Sequence, residues 1–202
     1  GDRCTRRCSF CDVAHGRLPM VQRHDTCVAS VHLTDGGEVE GAEWQIKAYS
    51  SAAPSFIGDF ATIIGGNGKV LREGTNGWTC QAGNPRSFPK EGWKDVHEAM
   101  PACSDKEAIK WMMAYMEGKT PQLDNDGWMW MLHGDVGEDN SKAGVLNKND
   151  STPGQWIESG PHLMLMPKDP SSLDNMNADF TNGAPYVTVS YTHLTLPTKW
   201  WV

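Results

Sequence analysis

Cys4, Cys8 and Cys11 stand in a Cys-x3-Cys-x2-Cys pattern inside the opening run GDRCTRRCSFCDVAHGR. Thiolates are soft ligands that suit iron, and spacers this short let one loop wrap one cluster. Three such ligands hold three irons of a four-iron four-sulfur cluster and leave the fourth iron open. The chemistry this pattern points to is electron transfer from a cluster to a molecule bound at that open iron.

The match extends past the cysteines. With Arg6, Arg7 and the stretch from Asp12 to Arg17, residues 1–18 resemble the cluster loop of lipoyl synthase, a radical S-adenosylmethionine enzyme. The resemblance implies a four-iron four-sulfur cluster on Cys4, Cys8 and Cys11, with S-adenosylmethionine on the open iron. It further implies a second cluster on other cysteines, sulfur insertion into a protein-bound octanoyl chain, and a cytoplasmic location. A lipoyl synthase also needs a (β/α) barrel, normally on the order of 200 residues. From Pro19 onward the chain lacks the alternation of short apolar strands and longer helices that builds one. Cys27, Cys80 and Cys103 are scattered rather than clustered. The expectation is a ligand loop followed by a different kind of domain, with the intact radical enzyme as the alternative.

Composition narrows the rest. The 202 residues include 21 Gly, 12 Pro and 9 Trp, and the mean hydropathy is -0.51. These values describe a turn-rich, aromatic-anchored soluble chain, long enough for one domain with a real core. A formal charge of -7 argues against a nucleic-acid surface or an anionic membrane as partner. No apolar stretch approaches a membrane span. The chain begins with Gly and carries no signal peptide, so a true N-terminus is expected to be missing.

Two further groups could do chemistry. In residues 132–140 (LHGDVGEDN), His133 and Asp135 leave a strand end and enter a Gly-rich acidic turn. If that strand pairs with residues 162–166, His162 approaches His133, and two imidazoles with one carboxylate are enough ligands for zinc or iron. The competing reading is that these histidines satisfy backbone groups at strand ends. Cys80 and Cys103 flank a Pro/Gly-rich loop, and a disulfide between them would stabilise the fold by about 3 kcal/mol. That pairing needs an oxidising compartment; two buried thiols are the alternative.

Hairpins and one helix must position these groups. Residues 26–33 (TCVASVHL) and 38–49 (EVEGAEWQIKAY) read as the arms of one hairpin around Thr34-Asp35-Gly36-Gly37. Phe60 to Ile64 and Lys69 to Glu73 read as another, turned by Gly65-Gly66-Asn67-Gly68. Ser104 with Glu107 gives a capping box for a helix over about 105–117, with an apolar face from Ala108 to Met116 and a stop at Gly118. A short helix is expected near 94–100. Residues 128–132 (WMWML) and 162–166 (HLMLM) read as buried partner strands, and Asp169-Pro170 as the cap of one helical turn. Pro185 to Tyr191 is a last strand candidate. The methionines at 112, 113, 116, 129, 131, 164 and 166 read as core filler rather than a metal box. The expected fold class is α+β, a mainly antiparallel sheet with one main helix and one or two short ones.

From about Glu43 to Tyr186 the strings AAPSFIGDFATII, VLREGTNGWTC, DGWMWMLHGDVGEDN, ESGPHLMLMPKDP and DFTNGAPYV resemble a group of uncharacterised bacterial exported proteins. The resemblance implies a periplasmic or secreted domain. SYTHLTLPTK, near the end, looks like translated sequencing-adaptor read-through, which makes residues 188–202 a non-native tail. The expected organisation is a cysteine head and linker over 1–25, one α+β domain over 26–187, and that tail. The head, body and tail thus read as a chimeric sequence, whose body is expected to show no catalytic activity, with a ligand or metal site at His133, Asp135 and His162 as an option, and whose residues name no physiological partner.

Overall fold

The computed structural model describes residues 41–188. Cys4, Cys8, Cys11, Cys27, the strand expected at 26–33 and the tail from residue 189 lie outside the described residues.

The first element of the described residues is a helix, α1 (Ala42–Ser50), where the sequence reading expects a hairpin arm. Its residues explain the correction. Glu43 sits in the first turn and Lys47 in the last, both signs favourable to the helix dipole. Trp44 and Ala48, four residues apart, share the face that packs inward, and Tyr49 meets Trp44 edge-on at 6.2 Å. A short α2 (Ser55–Gly58) follows.

Six strands of the described residues then build one sheet in the order β2-β1-β3-β4-β5-β8. β1 (Thr62–Ile64) and β2 (Val70–Arg72) form the hairpin expected around the Gly-Asn-Gly turn. Asn67 Oδ1 accepts the Lys69 N–H at 3.0 Å, and Gly68 takes φ +75°, a region open chiefly to glycine. β3 (Thr79–Ala82) lies parallel to β1, the single parallel pairing among the described strands of this sheet. β4 (Pro101–Ser104) pairs antiparallel with β3 and β5 (Gly127–Met131), and β5 pairs antiparallel with β8 (His162–Met166). β6 (Glu138–Asp139) and β7 (Trp156–Ile157) make a separate two-stranded ribbon. The fold is α+β with a mainly antiparallel sheet.

Neighbouring residues of β4 divide the core into two layers, because successive side chains on a strand point to opposite faces. Cys103 joins Ala48, Tyr49, Ile57, Ile63 and Cys80 under α1. Ala102 joins Met129, Met131, Met166 and Ala108 under α4 (Lys106–Met116). Met112 and Met164 pack against the second layer, so most of the methionines do fill core; Met116, however, is 82% exposed. Where α1 does not reach, the outer face of β5 and β8 leaves Trp128, Leu163 and Leu165 exposed.

Local corrections follow from the caps and ends. α4 is capped by Asp105, whose carboxylate accepts the Ala108 N–H at 2.8 Å, while Ser104 is the buried last residue of β4. Glu107 therefore does not close a capping box. It accepts from Lys110 at 2.9 Å and from the Asp124 backbone N–H at 2.8 Å. α3 (Val96–Ala99) and a 3-10 turn over Pro170–Leu173 stand where the sequence reading expects short helices. Residues 185–188 carry no strand. Among the described residues no helix is long and apolar enough to cross a membrane.

Candidate functional site

The end of β5 runs into a tight turn that gathers most of the polar side chains of interest. Gly134 has φ +68° and Gly137 φ +101°. A side chain at Gly134 would run into the Ser159 carbonyl, and one at Gly137 into the Trp156 indole, so both positions require glycine. Asp135 locks this turn: its Oδ1 accepts the N–H of Gly137 and that of Ser159, each at 3.0 Å.

His133 is half-buried at the start of the turn, 2.7 Å from Ser51 Oγ through Nε2. A serine and a histidine at this distance resemble a nucleophile and its base. The proton inventory argues otherwise. Ser51 has one hydroxyl proton, and it is directed at the Ala48 carbonyl at 2.7 Å. The imidazole N–H is then the donor to Ser51, which makes the contact a tie between the end of α1 and the β5 turn. His97, on α3, donates from Nδ1 to the His133 carbonyl at 2.7 Å. Burial holds the His133 pKa below its ordinary value; the Ser51 backbone opposes this and the neighbouring His97 adds to it.

His162 sits opposite Met131 in the β5–β8 register and its Nδ1 donates to the Gly160 carbonyl at 2.7 Å. The three residues proposed as metal ligands are thus engaged separately: His133 with Ser51, Asp135 with two backbone amides, His162 with Gly160. Among the described residues no group of three His, Cys, Asp or Glu side chains is placed to hold a metal ion. Cys80 and Cys103 are directly opposite in the β3–β4 register and joined by a disulfide.

On the other side of α3 the chain forms a cleft of about 340 Å³ lined by Asn84, Arg86, Ser87, Pro89, Trp93, Glu98 and Val136. None of these residues stood out in the sequence. The loop after β3 is fastened at both ends. Asn84 accepts the Arg86 N–H at 2.9 Å and donates to the Glu98 carbonyl at 2.6 Å. Arg86 reaches across with Nη2 to the carbonyls of Gly137, at 2.8 Å, and Leu146. Trp93 is 4% exposed and packs edge-on against Phe88, ring centres 5.2 Å apart. Asp95 caps α3 by accepting the Glu98 N–H at 2.8 Å, and Glu98 in turn accepts the Lys94 N–H.

Two donors in this cleft have nothing to donate to. Arg86 Nη1 and Trp93 Nε1 are both buried, and neither has a hydrogen-bond partner among the described residues. Nor does Arg86 make an ion pair there. Burying a donor unpaired costs roughly 1–3 kcal/mol, more for a charged group. No protein-family model, curated protein or solved structure matches the chain, so the geometry of these residues carries the functional reading.

Proposed function

We propose that residues 41–188 form an exported binding domain that works in an oxidising compartment and takes a small ligand in the Arg86 cleft. The observation that carries this reading is the bond between Cys80 and Cys103, fully buried between the two central strands. A disulfide there is stable only where thiols are not kept reduced. The test is to produce the full chain in the periplasm and in the cytoplasm of one bacterial host and map its thiols by non-reducing mass spectrometry. The reading expects Cys80 linked to Cys103 and a higher unfolding temperature in the periplasmic product. Two free thiols in that product, with equal stability from both sources, would sink it.

A second reading rests on Cys4, Cys8 and Cys11: a radical S-adenosylmethionine enzyme with one cluster on those thiolates. Of the six cysteines, Cys80 and Cys103 are bonded to each other, which leaves Cys27 alone outside the triplet. One thiolate does not supply a second cluster of the lipoyl synthase kind, so the sulfur-insertion form of this reading is disfavoured. Anaerobic reconstitution with iron and sulfide decides the remainder. Stoichiometric cluster absorbance with cofactor cleavage, both lost in Cys8→Ala, would establish the radical enzyme; their absence would remove it.

A further inference from the structure

We propose that the cleft between the loop after β3, α3 and the β5 turn binds a small monocarboxylate through Arg86 Nη1 and Trp93 Nε1. The inference rests on reading this domain as a binding domain and names the chemistry of its ligand. Both nitrogens are donors with no acceptor capacity, so the guest has to present acceptors. They are buried without partners, on two residues that line the same cleft. Arg86 is already held in place by two carbonyls on Nη2, which fixes the guanidinium and leaves its charge uncompensated. A carboxylate supplies two acceptor oxygens and the one negative charge that a guanidinium calls for.

Glu98 sets the limit on that charge. It lines the same cleft and makes no ion pair among the described residues, so a dianion such as phosphate meets repulsion that a monoanion meets at half strength. Pro89 and Val136 give the cleft an apolar part for a short carbon chain, and about 340 Å³ is at the small end of ligand sites. Both donor nitrogens are sheltered from bulk water, where a charge-assisted hydrogen bond is worth most. A guest has to displace the side chains that shelter them, and that cost places the affinity in the millimolar range, roughly.

The experiment is an NMR titration of the disulfide-intact full chain with propionate, phosphate and ethylammonium. Propionate is expected to shift the Trp93 indole N–H and the Val136 amide saturably, while phosphate and ethylammonium do not. Trp93→Phe keeps an aromatic ring but removes the donor, and is expected to weaken propionate binding about tenfold at the Val136 amide. Arg86→Lys is expected to do the same, and Glu98→Gln to let phosphate bind. The proposal is overturned if propionate produces no saturable shift, or if phosphate binds the unmodified chain as tightly as propionate. It is equally overturned if propionate affinity is unchanged in Trp93→Phe. Free thiols in the exported protein would instead count against the compartment assigned above, so the two readings fail on different measurements.

Discussion

The carboxylate of Asp139 accepts the backbone N–H of Thr152, 13 residues further along, and so closes the loop between β6 and β7. The same carboxylate takes the Ser141 N–H and hydroxyl, each at 2.7 Å, and the Lys142 N–H at 3.0 Å. Burial works to raise its pKa, and the hydrogen bonds from Ser141 and Thr152 outweigh that, leaving it well below the usual carboxylate range.

Asp139→Asn turns one acceptor oxygen into a donor that faces backbone N–H groups. It is expected to cost about 2–3 kcal/mol in urea unfolding at pH 7. Because the folded-state pKa is depressed, the stabilisation is complete above the ordinary value of 3.8 and is lost as pH falls below it. The unmodified chain should therefore lose stability between pH 4 and pH 2, roughly, more steeply than Asp139→Asn does. Equal slopes would show that Asp139 carries no linked proton.

His133 titrates in the opposite sense to a paired histidine. Its folded pKa lies below the ordinary 6.5, so the folded state binds the proton less readily than the unfolded chain. Stability is full above that value and declines as pH falls from it toward the folded pKa. A histidine NMR titration should place His133 below the ordinary 6.5, and His133→Gln should flatten the pH dependence of the melting temperature across that window. An unshifted His133 titration would rule this out.

Asp105→Ala removes the cap of α4 and, with it, the acceptor of the Trp128 N–H at 3.0 Å. The expected loss is about 1–2 kcal/mol, against less than about 0.5 kcal/mol from any capping role of Ser104. Since Ser104 is buried, Ser104→Ala is the informative partner variant: if it costs more than Asp105→Ala, the cap assignment is wrong.

Replacing both cysteines by alanine, Cys80→Ala with Cys103→Ala, should lower unfolding stability by about 3 kcal/mol through the 23-residue separation they close. Reduction of the unmodified chain should give a loss of similar size. Comparison of oxidised, reduced and double-variant unfolding in denaturant checks it, and coincident curves would contradict it.

What could be read in advance was local. Alternating methionines and a Gly-Asn-Gly turn identify β5, β8 and the β1–β2 hairpin because strand period and turn chemistry lie within a few residues. α1 escaped because its start carries no signal: Gly41 occupies the N-cap and offers no side chain to accept a hydrogen bond. β4 escaped because it is four residues long, begins with Pro101 and follows Met100, which has φ 49°. The cleft could not have been found by spacing at all. Arg86 meets its carbonyl partners 51 and 60 residues away, and Ser51 meets His133 at a separation of 82.

The bond between Cys80 and Cys103 also encloses a ring of backbone, and all the cleft-lining residues except Val136 lie on that ring. A protease that cuts the exposed Phe88 segment would therefore leave both new ends covalently attached, and the fragments would separate only after reduction. The cleft can thus be nicked without the domain coming apart.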